Sequence, residues 1–370
     1  MDDILNIQSG VRFDESISQY ELHSHLPYNS SNFNNNDEIR ISIQHQDLNL
    51  LPSESFLRIQ GRILNKITKQ PLMNTQFINN EPCFLFEEIR YEINAIEIDA
   101  CKNVGVATTM KNMPSLYPSG MYYAENAGFN FKTPFLIVNE QGYFDVTIPL
   151  KYIFGFAEDY KKIITSVKHE LIITRSSSDV NAFITIDDNQ DASENFKVDL
   201  QKIEWIMPYV QLSSEYKIQL LKQLERNKPI AVPFRSWELY QYPYLPSVKH
   251  HIWNVKTSNQ LEKPRYVIIG LQTNRKLQMN KDAGEFDHCQ LTNVKLFLNS
   301  QYYPYGNLNV DFNRDQFSIL YDMFANFQRS YYSKMPEPMI TKSDFKNKND
   351  INSYRLLEAK RRIEKCFSGC

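Results

Sequence analysis

The sequence predicts an all-β chain, and three observations carry that expectation. The 370 residues are rich in side chains that suit a pleated, half-buried surface, with 22 Tyr and 23 Phe against 11 Gly. Short runs alternate apolar and polar residues at period two, separated by clusters of turn formers. Only two segments carry a clear helical period. Many short strands with few helices imply a sandwich or jelly roll.

Residues 1–40 are polar, and Ser30-Ser31-Asn32-Phe33-Asn34-Asn35-Asn36 offers too little apolar area to fold alone. The segment is predicted to be a flexible arm that orders against a partner. Alternation begins at Leu57-Arg58-Ile59-Gln60-Gly61-Arg62-Ile63 and recurs at Ile89-Arg90-Tyr91-Glu92-Ile93 and Phe144-Asp145-Val146-Thr147-Ile148. Glu170-Leu171-Ile172-Ile173-Thr174 is a further strand. Turn chemistry separates these runs at Asn79-Asn80-Glu81-Pro82, Tyr117-Pro118-Ser119-Gly120 and Asn139-Glu140-Gln141-Gly142. Together they make a first unit over residues 41–195.

A second unit, residues 196–340, follows the acidic loop Asp187-Asp188-Asn189-Gln190-Asp191. Strands are expected at 203–210, 230–240, 249–255, 265–272 and 290–298. The consecutive Val267, Ile268 and Ile269 imply burial on both faces. Trp205, Trp237 and Trp253 all fall in this unit. One helix is expected at 214–224, opened by a Ser cap, with Ile218, Leu221 and Leu224 roughly on one side. The other, 315–328 with Asn313 as its cap, carries Phe317, Leu320, Tyr321, Phe324 and Phe327 as a core-facing stripe rather than a cofactor box.

Residues 341–370 differ from the rest. They hold eight Lys or Arg against four Asp or Glu, so this segment carries +4 while the whole chain carries -2. Residues 356–365 are expected to form a short charged helix. The plain reading is a solvated tail; the sharper one is a basic arm in which Lys360, Arg361, Arg362 and Lys365 face nucleic acid or an acidic neighbour.

Catalytic chemistry has no pattern to rest on. The five cysteines, Cys83, Cys101, Cys289, Cys366 and Cys370, are odd in number and widely spaced, which fits reduced intracellular thiols. Met1-Asp2-Asp3-Ile4 has neither the charged nor the apolar region of a signal peptide, and no apolar run reaches the eighteen residues of a membrane span. His23-Ser24-His25 would share one face of a strand, but no carboxylate or thiol cluster stands at ligand spacing beside it. His250-His251 are merely adjacent. Phe286-Asp287-His288-Cys289 resembles a thiol site only superficially, and reads better as a loop whose Asp287 and His288 bond backbone groups. Glu87 and Glu88 point to opposite faces of a strand. Gly61, Gly105, Gly142 and Gly155 lack phosphate-loop spacing. No catalytic, cofactor-binding or metal-binding residue is therefore expected, and the chain is read as a non-enzyme.

Several short pieces occur in a specific order: Leu51-Pro52-Ser53-Glu54-Ser55, then Phe84-Leu85-Phe86-Glu87-Glu88-Ile89-Arg90-Tyr91, and Pro149-Leu150-Lys151-Tyr152-Ile153-Phe154-Gly155-Phe156 before Asp159-Tyr160. Trp205-Ile206-Met207-Pro208 and the block from Pro264-Arg265-Tyr266-Val267-Ile268-Ile269-Gly270 through Tyr302-Tyr303-Pro304 follow. In this order the chain resembles, over roughly residues 45–335, the double jelly-roll major capsid proteins of Polinton and adintovirus type. The resemblance implies two jelly-roll β-sandwiches in tandem, three copies forming a pseudo-hexagonal capsomer of an icosahedral shell, and a minor capsid protein as a further partner. It places the protein in the virion and inside the host cell, with helix 315–328 in a long connection of the second roll. The chain departs from the family pattern at its C-terminus, where about five strands are counted after residue 196 against the eight of a jelly roll. Three explanations stay open: the tail covers the bare edge, another subunit supplies strands, or the chain is a truncated, host-genome-derived copy. The alternative function is a repurposed capsid-like β-sandwich that binds a protein or a glycan; an enzyme using Cys289 and His288 ranks last.

Overall fold

Period-two alternation sorts Leu57, Ile59 and Ile63 to one face of a strand and Arg58, Gln60 and Arg62 to the other, and the first face is buried. The same sorting recurs along the N-terminal half and builds a β-sandwich. The computed structural model describes residues 16–29, 32–44, 49–71, 75–129, 139, 141–185, 196–225, 229–242, 244–245, 248–255, 264–298, 300–347 and 355–358.

The N-terminal strands are β1 (Ile17–His25), β2 (Glu38–Ile43), β3 (Asn49–Leu50), β4 (Phe56–Asn65), β5 (Thr75–Phe77), β6 (Phe86–Ile93), β7 (Ile96–Lys102), β8 (Tyr143–Pro149), β9 (Ile164–Thr165), β10 (His169–Arg175), β11 (Phe183–Thr185) and β12 (Phe196–Leu212). One antiparallel sheet runs β8-β4-β12-β3-β9, and the facing sheet runs β2-β10-β6-β7. β5 and β11 form a separate pair. Trp205 and Tyr91 are fully buried and meet edge to face between the sheets with ring centroids 5.7 Å apart. Tyr91 also packs on Phe154 and Phe156, and its hydroxyl lies 2.6 Å from His169 Nδ1.

Short helices bridge the strands: α1 (Glu81–Phe84), α2 (Val104–Ser115), α3 (Met121–Glu125), α4 (Leu150–Ile153), α5 (Gly155–Asp159) and α6 (Ser214–Leu224). Beyond them the described elements are β13 (Tyr266–Ile269), β14 (Leu296–Leu298), β15 (Gln301–Tyr303), α7 (Ser318–Ala325), α8 (Phe327–Tyr332), α9 (Lys342–Asn347) and β16 (Arg355–Glu358). A second apolar core fills the gap between the sandwich and this half. There Met113, Leu116 and Phe129 meet Phe286, Phe312, Phe317, Leu320, Phe324 and Phe345.

Several expectations change. Ile17–His25, expected as part of a flexible arm, is a strand. β12 continues past its pairing with β4 and offers its opposite edge from Trp205 to Leu212, which β1 occupies. The strand expected at 203–210 belongs with the first set, not the second, because residues 196–206 ladder onto β4; Trp205 is accordingly a core residue of the N-terminal sandwich. Residues 230–240 and 249–255 carry no strand among the described residues, since alternation makes a strand only where a neighbour completes the ladder. Strands do form within 265–272 and 290–298 but are cut to four and three residues, and Val267, Ile268 and Ile269 are half-buried rather than enclosed.

The helix expected at 315–328 begins three residues late and continues to Tyr332 in two pieces. Asp315 takes a φ of 56°, and Asp311 pairs with Gln316, so the chain is still turning there. Asp311, not Asn313, supplies the turn's acceptor: its Oδ1 receives the amides of Asn313 and Arg314. The core-facing stripe holds, with Phe317, Leu320, Phe324 and Phe327 buried. At the tail, residues 355–358 form a strand on β13 instead of entering a helix; pairing with an available neighbour overrides local helix preference. Phe33, in the polar segment, is buried. The acidic loop 187–191 lies outside the described residues.

Candidate assembly surfaces

Beside its apolar core the joint between the two halves has a polar part, and residues from four segments build it. Pro149 ends β8, and two short helices follow, placing Glu158 and Asp159 at the end of α5. Arg235 reaches Asp159 as a fork: its Nε donates to Oδ2 at 2.8 Å, its Nη2 donates to Oδ1, and its own backbone amide donates to Oδ2 at 2.8 Å. The same guanidinium lies 3.6 Å from the Tyr331 ring centroid and donates to the Tyr331 carbonyl at 2.9 Å. Tyr331 and Tyr332 both donate their hydroxyls to Glu158. Buried Lys111 sits 3.2 Å from Glu158 and donates to the Lys151 carbonyl at 2.6 Å. Burial works against the Asp159 carboxylate, yet the Arg235 hydrogen bonds hold it below the usual range. Burial, and then the charge of Glu158, push both tyrosine hydroxyls up.

Gly155 admits this arrangement. A Cβ there would sit 1.6 Å from the Arg235 carbonyl oxygen, so no other residue allows that approach. In the sequence Gly155 is an isolated glycine, and Arg235 belongs to no motif. The available signal was the run from Pro149 to Tyr160, whose charged end had no stated partner.

Two outer surfaces stand open. On β1 the side chains of Tyr20 and Leu22 are 50% and 55% exposed. α6 begins where β12 ends and is tied to the start of β1 by the Ser213 amide donating to the Ser16 carbonyl at 3.0 Å. The helix matches its expected span and has no buried residue; Tyr216, Ile218, Leu221 and Leu224 all face outward. Further along, Tyr242 contacts His251 and Trp253 with centroids 4.8 and 5.6 Å apart, and all three rings are exposed.

His23 and His25 do share one strand face, where both flank the Tyr209 ring; His23 Nε2 is 2.9 Å from Glu21 and His25 Nε2 is 2.9 Å from the Tyr209 hydroxyl. Among the described residues no three His, Cys, Asp or Glu side chains converge on a metal position. Asp287 pairs with Arg275 at 2.7 Å and accepts the Thr273 amide, while His288 stacks on Phe312 and its Nδ1 accepts the Gln290 amide. Both therefore bond backbone groups, as the loop reading expects, and Cys289 is exposed beside them. Glu87 is exposed and Glu88 approaches Lys102 instead. Lys360, Arg361, Arg362 and Lys365 lie outside the described residues, as do Cys366 and Cys370. No helix among the described residues is long and apolar enough to cross a membrane.

A family profile described as a double jelly roll-like domain matches residues 75–360, which is most of the chain. The chain belongs to the double jelly-roll family. Its members' fold accounts for the antiparallel sandwich and the few short connecting helices. Solved structures similar to this double jelly-roll chain include the Faustovirus major capsid protein, at 9% identity and a TM-score of 0.41, covering 59% of this chain and 58% of that one. The mavirus major capsid protein matches at 11% identity and a TM-score of 0.30, covering 72% and 52%. The PBCV-1 virus capsid matches at 14% identity and a TM-score of 0.36, covering 57% and 46%. The chain thus spans about half the length of the solved chains it matches. No curated protein matches it.

Proposed function

We propose that this double jelly-roll chain is a structural virion protein, a capsid subunit of Polinton-like type that forms pseudo-hexagonal trimers of an icosahedral shell. The family match over residues 75–360 carries the reading. Large apolar side chains left outside both cores support it: Tyr122, Tyr244, Ile252 and Tyr305 are among the most exposed, and such surface suits contacts between subunits. On this reading the protein has no catalytic role, assembles inside the host cell and meets a minor capsid protein in the shell. The tail residues Lys360, Arg361, Arg362 and Lys365 face nucleic acid.

The division into an arm, two rolls and a tail belongs to the same proposal. The pairing of β12 with β4 supports ending the first roll at Leu212. The exposed ring cluster of Tyr242, His251 and Trp253 favours a second reading, a repurposed β-sandwich that binds a protein or glycan. Light scattering with negative-stain imaging separates the two. Particles of three chain masses, or shells built from them, are expected; a stable monomer that binds glycan or protein through Trp253 would transfer the assignment to the binding module.

A further inference from the structure

β1 is an edge strand that carries neither lysine nor proline. Its inner edge ladders onto β12, and among the described residues no strand pairs with its outer edge. The backbone groups on that outer edge can be named. Leu22 lies opposite Pro208, which has no N–H and whose carbonyl accepts the Leu51 amide on the far side of β12. Tyr20 lies opposite Val210, whose carbonyl accepts from Asn49 on that same far side. Neither pair exchanges ladder hydrogen bonds, so the amides and carbonyls of Tyr20, Leu22 and, by alternation, Ser24 point outward. Natural edges are blunted by lysine, proline or a covering element, whereas this one presents Tyr20 and Leu22.

We propose that the outer edge of β1 pairs antiparallel with β1 of a second copy, about a twofold axis at Leu22. Side-chain charge selects this register. An axis at Glu21 sets the two Glu21 carboxylates against each other, and an axis at His23 sets imidazole against imidazole. An axis at Leu22 places Glu21 of each copy opposite the partner's His23, Gln19 opposite the partner's His25, and the two Leu22 side chains together. Tyr20, Leu22 and Ser24 then meet the outward backbone groups of the partner's Ser24, Leu22 and Tyr20. The larger sheets of two sandwiches become one. The α6 helix, tied to the start of the same strand and burying none of its own residues, extends the apolar area beside the contact. This inference does not rest on the capsid reading, which names no contact surface.

Cross-linking tests the register in a background with Cys289, Cys366 and Cys370 changed to Ser. Opposed residues 21 and 23 form a non-hydrogen-bonded pair at about 4.5 Å between Cα atoms, within disulfide reach. Glu21→Cys chains mixed with His23→Cys chains should give covalent dimers under mild oxidation, and neither variant alone should do so. Dimers of the single variants equal to the mixture, or none in either, would overturn the proposal. Independently, Leu22→Lys places two like charges on the axis and should lower the solution mass with the circular dichroism spectrum unchanged; an unchanged mass would also overturn it.

Discussion

Replacing Arg235 by Ala should undock the second half from the sandwich without unfolding the sandwich. The Arg235–Asp159 pair is mostly shielded, with side chains 23% and 18% exposed. Removing one partner of a buried pair costs about 3–5 kcal/mol, and this residual exposure places the cost near the lower end. The guanidinium over Tyr331 at 3.6 Å contributes on the order of 1 kcal/mol, part of which overlaps the first figure. A net loss of about 3 kcal/mol corresponds to roughly a hundredfold in the docking equilibrium. Native-state hydrogen exchange reads this directly. Amides of Val310, Leu320 and Tyr321 should exchange about a hundredfold faster in Arg235→Ala, while those of Ile59, Ile172 and Ile203 keep their wild-type rates. Arg235→Lys should fall between, because it keeps the charge and loses the fork. Equal acceleration in both groups of amides, or none in either, would refute the assignment of the joint to this ion pair.

Three other outcomes follow from single groups. Gly155→Ala forces a methyl group onto the Arg235 carbonyl and should open the same joint at least as far, which limited proteolysis between residues 229 and 347 will register. Glu81 is buried with neither carboxylate oxygen hydrogen-bonded, and burial pushes its pKa well up. Its stabilising contribution is complete at low pH and is lost as pH rises above the usual carboxylate range, so Glu81→Gln should raise the urea midpoint at pH 8 and leave it nearly unchanged at pH 4. Burial lowers the His169 pKa to about 4. That stability is present above the usual histidine pKa and is lost as pH falls from there toward 4. His169→Gln should therefore flatten acid unfolding by about 3 kcal/mol over that window, measured as urea midpoints.

The N-terminal sandwich was legible in the sequence because its strands alternate cleanly. Leu57 through Ile63 and Phe144 through Ile148 appear as strands with the expected buried face. What escaped was pairing across long sequence distance. Nothing in Ile17–His25 marks it as a strand until β12 is seen to leave an edge for it, and nothing in Trp205 shows which sandwich it enters. The later segments failed for a related reason. Residues 249–255 have strand-like composition, but composition does not supply a neighbour, while Leu356 and Leu357 found one in β13 and gave up a helix. At the joint, Arg235 and Asp159 are 76 residues apart, beyond any local pattern. The aromatic stripe from Phe317 to Phe327 was readable because its partners share one helical face, even though the helix start was displaced by Asp311.

The placement of β12 also governs the order in which a ribosome can deliver this fold. The strand lies between β1 and β4, yet it is made after both and after β6, β7, β8 and β10. A nascent chain halted before Phe196 would already hold the whole four-stranded sheet and the long-range β4–β8 pair. It would also carry an open slot where Trp205 belongs, with Tyr91 and the inner face of β4 turned toward water. Vectorial synthesis therefore leaves the nascent sandwich unsealed until Leu212 clears the exit tunnel. Through that interval the apolar faces that β12 covers stay open to water, the condition under which partly folded chains aggregate.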